Sequence, residues 1–151
     1  GDGMEDVVLV LNVLASWTMV GVIWFVQVVH YPLLSVVPVE SAASVAVEHQ
    51  RRTGWVVMVP MTIEGITTLL LLGMVPIGVA WFVPWLAGIP LAVALGATVL
   101  LSVPRHARMA TQPDATVGRE LVTTNWVRTI AWSLRGLIAT GMLLATLIER
   151  S

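Results

Sequence analysis

Four stretches, residues 7–30, 55–75, 77–103 and 122–148, are each long and apolar enough to cross a lipid bilayer as a helix. A helix rises 1.5 Å per residue, so a hydrocarbon core of about 30 Å needs roughly 20 mostly apolar residues. No other feature of the chain restricts its fold as strongly. The composition agrees: 57% of the residues are hydrophobic, 11% are charged and the mean hydropathy is +0.88, against about 25% charged residues in soluble domains. A water-soluble globule is excluded. The expected fold is all-α, an integral membrane four-helix bundle with antiparallel up-down spans, forming one transmembrane domain over residues 1–151.

The first stretch is expected to remain as an anchor rather than act as a signal peptide. Gly1-Asp2-Gly3-Met4-Glu5-Asp6 is acidic, and no small-residue cleavage site follows the apolar run. Every basic residue is an arginine, and Arg51, Arg52, Arg105, Arg108 and Arg119 all fall between spans one and two or three and four. Basic residues stay on the cytoplasmic side. Both longer loops are therefore expected in the cytoplasm and both termini outside, in a bacterial cytoplasmic membrane with lipid as the first partner.

Spans two and three are separated only by Val75-Pro76-Ile77, which predicts a tight helical hairpin. Pro84 and Pro90 fall inside the third stretch and predict a kink there. Gly88, Ala92 and Gly96 make a small-residue stripe, suited either to packing inside the bundle or to an oligomer seam. The segment from Pro38 to Arg52 reads as a short interfacial helix leading into span two, and Gln112-Pro113-Asp114 as a turn.

Charges inside a span normally face the protein interior. Three occur here: Glu64, Arg128 and Arg135. Glu64 lies nine residues past Trp55, and Arg135 nine past Trp126, so both sit about 14 Å deep on helices entering from the same side. They are placed to pair, either as an ion-pair lock between spans two and four or as part of a ligand or proton site. Arg128, one turn inside the interface, is suited to snorkelling or to lining that site. If chemistry occurs, Glu64, Arg135 and Arg128 are the candidate catalytic residues.

Asn125, Arg128, Trp132 and Arg135 share one stripe of span four, which should face inward. Trp17, Val20, Trp24, Gln27 and Tyr31 form a similar stripe on span one. Trp24, Gln27, Tyr31, Asn125 and Trp132 are thus candidate ligand-binding residues, with aromatic packing as the alternative. His30, His49 and His106 all fall on one membrane side. They are either separate hydrogen-bonding histidines or, if they converge, candidate metal ligands or proton carriers.

Several functions are excluded. Without cysteine there is no disulfide, thiol nucleophile or cysteine-ligated iron–sulfur cluster. A net charge of -1 offers no basic field for nucleic acid. No nucleotide motif, HExxH or GxSxG occurs, and a midplane bis-histidine haem lacks its ligands.

The landmarks Gln27-Val28-Val29-His30-Tyr31-Pro32, His49-Gln50-Arg51-Arg52, Pro60-Met61 with Glu64, Pro104-Arg105-His106, Asn125-Trp126-Val127-Arg128-Thr129 and Trp132-Ser133-Leu134-Arg135-Gly136 run through nearly the whole chain. Their order resembles a group of small four-helix bacterial membrane proteins, mostly without assigned function, and more remotely the anthrone-oxygenase-like proteins of polyketide pathways. That resemblance implies oxidation of a flat hydrophobic aromatic substrate. The residues themselves point first to a polar site on the cytoplasmic side that binds a lipophilic or anionic small molecule, with oxidation or isomerisation as its chemistry. The alternatives are a proton-coupled transporter or channel, or a structural subunit of a homo-oligomer or larger membrane complex.

Overall fold

The structure, a computed structural model, describes residues 3–111 and 115–151; the Gln112-Pro113-Asp114 turn lies outside them. Helix α1 (Met4–Phe25) continues through a π-helical turn (Val26–His30) into the short α2 (Tyr31–Leu34). Helix α3 (Val39–Gly73) follows, then α4 (Val83–Ala97), a second π-helical turn (Thr98–Ser102), α5 (Val103–Thr111) and α6 (Ala115–Arg150). The four helical runs, Met4–Leu34, Val39–Gly73, Val83–Thr111 and Thr116–Arg150, are each long and apolar enough to cross a membrane. The fold is an all-α four-helix membrane bundle.

Helices α1 and α6 form its central seam. Helix α3 packs on the other side of α1, α4 packs on α6, and α3 touches α4 only sparsely. Asp6 Oδ2 meets Arg150 Nη2 at 2.7 Å, so α1 and α6 run antiparallel with their outer ends together. Lipid tails are as apolar as leucine, so close packing and hydrogen bonds hold such helices together rather than removal of apolar surface from water. The interfaces follow this rule. Ala87 and Ala94 of α4 are buried, as are Ala131 and Ala139 of α6. A Cβ on Gly136 would stand 3.1 Å from Val20 and 3.3 Å from Trp17, so this glycine sets how closely α1 approaches α6. Leu137, Leu144, Leu147 and Ile148 remain exposed for lipid.

Several local expectations are corrected. The predicted interfacial helix is not separate, because α3 runs unbroken from Val39. The connection from α3 to α4 occupies residues 74–82 and contains Gly78 at φ +79°, pressed against the backbone of Ala145. Pro84 lies in the first turn of α4, where its missing N–H costs no helical bond. Pro90 is inside α4. The small-residue stripe is only partly at the packed face: Ala92 is exposed and Gly88 and Gly96 are half-buried, whereas Ala87, Leu91 and Ala94 are buried.

The irregularities of the first and third helical runs fall elsewhere. Each π-helical turn ends two residues before a proline, Pro32 in one case and Pro104 in the other. A proline ring inside a helix clashes with the carbonyl four residues earlier and supplies no N–H. Widening the preceding turn relieves both problems: the Tyr31 N–H bonds to Val26 O and the Val103 N–H to Thr98 O, each five residues back.

Candidate functional site

The polar side chains gather at two levels. The inner cluster is centred on Glu64 of α3 and Arg135 of α6, both wholly buried, with Arg135 Nε 3.7 Å from Glu64 Oε2. That is an ion pair without a direct hydrogen bond. Arg135 Nη2 instead donates to Asn12 Oδ1 (2.5 Å) and Thr68 Oγ1 (2.6 Å), and Nη1 donates to the Ala87 carbonyl (3.2 Å). Glu64 Oε1 accepts from Trp132 Nε1 at 2.9 Å. Asn12 completes the cluster by donating to Thr67 and Thr68. One carboxylate balances one guanidinium, and the cluster draws on α1, α3, α4 and α6.

The second cluster lies nearer the histidine end. Gln27, in the first π-helical turn, accepts through Oε1 from Asn125 Nδ2 and Thr129 Oγ1, each at 3.0 Å. Its own Nε2 donates to the Val122 carbonyl. Arg128 turns inward rather than snorkelling. Its Nη1 donates to Asn125 Oδ1 (3.2 Å), Ser102 Oγ (3.2 Å) and Tyr31 Oη (3.5 Å). The guanidinium carbon also lies 5.5 Å from the Trp132 ring centroid. Trp132 thus divides the clusters, with its N–H on Glu64 and its face toward Arg128.

Unlike Arg135, Arg128 has no carboxylate partner among the described residues, and its buried Nε has no hydrogen bond. It lines a cavity of about 310 Å³. Met19, Ile23, Val57 and Met61 supply apolar wall, while Tyr31, Ser102 and His106 supply polar groups.

The three histidines, which come from three separate helical runs, meet beside this cavity. His30 and His49 stack at 3.7 Å between centroids with planes 18° apart, and His106 continues the array 5.4 Å from His49. Tyr31 Oη and His106 Nε2 are 2.7 Å apart, and His106 Nδ1 is buried without a partner. His49 Nδ1 lies 3.2 Å from Thr53 Oγ1. Among the described residues no group of three or more histidine or acidic side chains is arranged to hold a metal ion. The stacking gives the reason: imidazole lone pairs lie in the ring planes, so near-parallel rings do not aim them at one point.

The structure therefore brings together Glu64 with Arg135 and Trp132, and Gln27 with Asn125. It also gathers Arg128, Tyr31 and His106 around one cavity. It separates Trp24 from all of these. Trp24 and Trp17 are two-fifths exposed on the outer side of the α1–α6 seam, bonding Ser133 and Thr140. Trp24 also packs edge-on against Trp126. Sequence reasoning missed Asn12, Thr68 and Ser102. The available signal was Asn12 with Ser16, two polar residues one turn apart in an apolar span.

Comparison with protein-family models, curated proteins and solved structures finds no significant match to this chain.

Proposed function

We propose that this membrane protein binds an amphiphilic small molecule, placing an anionic or acceptor-rich head beside Arg128 and an apolar body against the walls of the adjoining cavity. One observation carries the reading: a mostly buried guanidinium lines a cavity with no carboxylate among the described residues to neutralise it. A buried cation is costly unless paired, and an anionic ligand would supply the missing partner. Glu64 and Arg135 line none of the cavities described. Their role in this reading is the lock between α3 and α6, which frees Arg128 for the ligand.

Tyr31 and His106 stand beside the proposed head and supply a pair able to exchange a proton with it. Isomerisation of the ligand is a chemistry these groups support. In this reading this end of the bundle faces the cytoplasm, which the grouping of Arg105 and Arg108 with Arg51 and Arg52 supports.

Native mass spectrometry on protein gently extracted from its own membranes tests the binding. Wild-type protein should carry a defined non-protein mass, and Arg128→Gln should lose it while keeping its helix content. Bare wild-type protein, or equal adducts on both, refutes the reading.

A further inference from the structure

A second cavity, of about 430 Å³, lies against the first. It is a groove between α1 and α3, walled by Gly21, Val22, Phe25, Val26 and Val56 and bounded by His30 and His49. Phe25 and Val56 are more than half exposed on the surface this bundle turns to lipid. A Cβ on Gly21 would meet nothing within 4 Å, so the groove is open above it. Arg52, the one arginine among the described residues that line it, is already paired with Glu48 at 2.6 Å.

The two cavities share Val22, Val26, His49 and Thr53 as a common wall. The histidine array crosses that wall in order. His30 lines only the outer groove, His49 lines both, and His106 lines only the inner cavity. His49 stands between the His30 ring at 3.7 Å and the His106 ring at 5.4 Å, meets Tyr31 edge-on and lies 3.2 Å from Thr53 Oγ1.

We propose that the ligand is a long-chain carboxylate taken sideways from the bilayer, with its head at Arg128, its chain along the α1–α3 groove and His49 in the wall that the two spaces share. Among the described residues Arg128 is the single fixed cation lining the inner cavity, which matches a compact monoanion. The groove, apolar and open on the lipid side, matches an unbranched chain. Together the two volumes fall within the usual range for a small-molecule site. This inference rests on the Arg128 reading above and adds to it the ligand class and the route.

The test uses the full chain in nanodiscs of zwitterionic lipid, labelled with diazirine-bearing palmitate or diazirine-bearing butyrate and competed with the parent acids. Gly21→Phe fills the groove without touching Arg128, and Gly21→Ala is its control. Because the chain arrives from lipid rather than water, Gly21→Phe acts by filling the space the chain packs into and excluding it by bulk. Competable palmitate labelling should therefore fall by about tenfold or more in Gly21→Phe and in Arg128→Gln. Butyrate labelling should fall only in Arg128→Gln, and Gly21→Ala should label like wild type with both. Undiminished palmitate labelling in Gly21→Phe overturns the groove and leaves the Arg128 site standing. Parallel loss of both probes in Gly21→Phe also overturns the groove. If Arg128→Gln labels like wild type, or wild type takes up neither probe, the reading of Arg128 falls and the long-chain ligand with it.

Discussion

Replacing Glu64 by glutamine removes one charge and almost nothing else. The side chain keeps its length and its Oε1 acceptor for Trp132, and Arg135 keeps its bonds to Asn12, Thr68 and the Ala87 carbonyl. What disappears is the attraction across 3.7 Å between two wholly buried groups. At an effective dielectric of about 20, Coulomb's law puts that attraction at roughly 4–5 kcal/mol. Removing one partner from a buried pair costs about 3–5 kcal/mol. Because the guanidinium keeps three hydrogen bonds, the lower end applies, and Glu64→Gln should cost about 3 kcal/mol. Adding Arg135→Met should then cost less than the separate losses together, with a coupling of about 2 kcal/mol. Reversible unfolding in mixed micelles of rising dodecyl sulfate content, followed through the seven tryptophans, measures each corner of this cycle. A cost for Glu64→Gln below about 0.5 kcal/mol, or strictly additive variants, would show that the pair does not hold α3 to α6.

Two glycines provide independent tests of the packing. Gly78 combines φ +79° with a space in which a Cβ would stand 2.6 Å from Ala145 O, so Gly78→Ala should destabilise by about 1–3 kcal/mol in the same unfolding assay. Gly73→Ala, at an open helical position, should be neutral or stabilise by up to about 1 kcal/mol. Gly136→Leu should force α1 from α6 at a cost of about 1–3 kcal/mol. It should also break the 2.6 Å bond from Trp17 to Thr140, and a red shift of Trp17 emission in a variant retaining only that tryptophan would report it.

The spans were legible because twenty apolar residues in a row have few other uses. The Glu64–Arg135 pair was legible because equal depth on two helices entering from the same side is a matter of counting. The inward stripe of α6 followed from helical periodicity and holds at Asn125, Trp132 and Arg135, all of them buried. Trp24 misled for a physical reason. Its indole N–H can be satisfied by a serine on the neighbouring helix at the bundle surface, so its size and polarity did not require an inward position. Asn12 gave a weaker signal, one short amide among leucines and valines, although it bonds the wholly buried Arg135. The fate of the prolines was also hidden. Pro84 disturbs nothing, whereas Pro32 and Pro104 each follow a widened turn that no hydrophobicity pattern records.

Those widened turns make the cavity a question of phase. In a straight α-helix residues seven apart lie within about 20° of each other around the axis, so Tyr31 would share the outward face of Trp17 and Trp24. The first wide turn spends one extra residue and sets the rest of the helix back by about 100°, more than a quarter of a revolution. Tyr31 ends up 2% exposed where Trp24 is 42% exposed. The second wide turn stands just ahead of His106 in the same way. The hydroxyl and the imidazole meet because two helices each carry one residue more than regular winding would use. A gain or loss of a single residue in either turn would uncouple them while every side chain of the site remained in the chain.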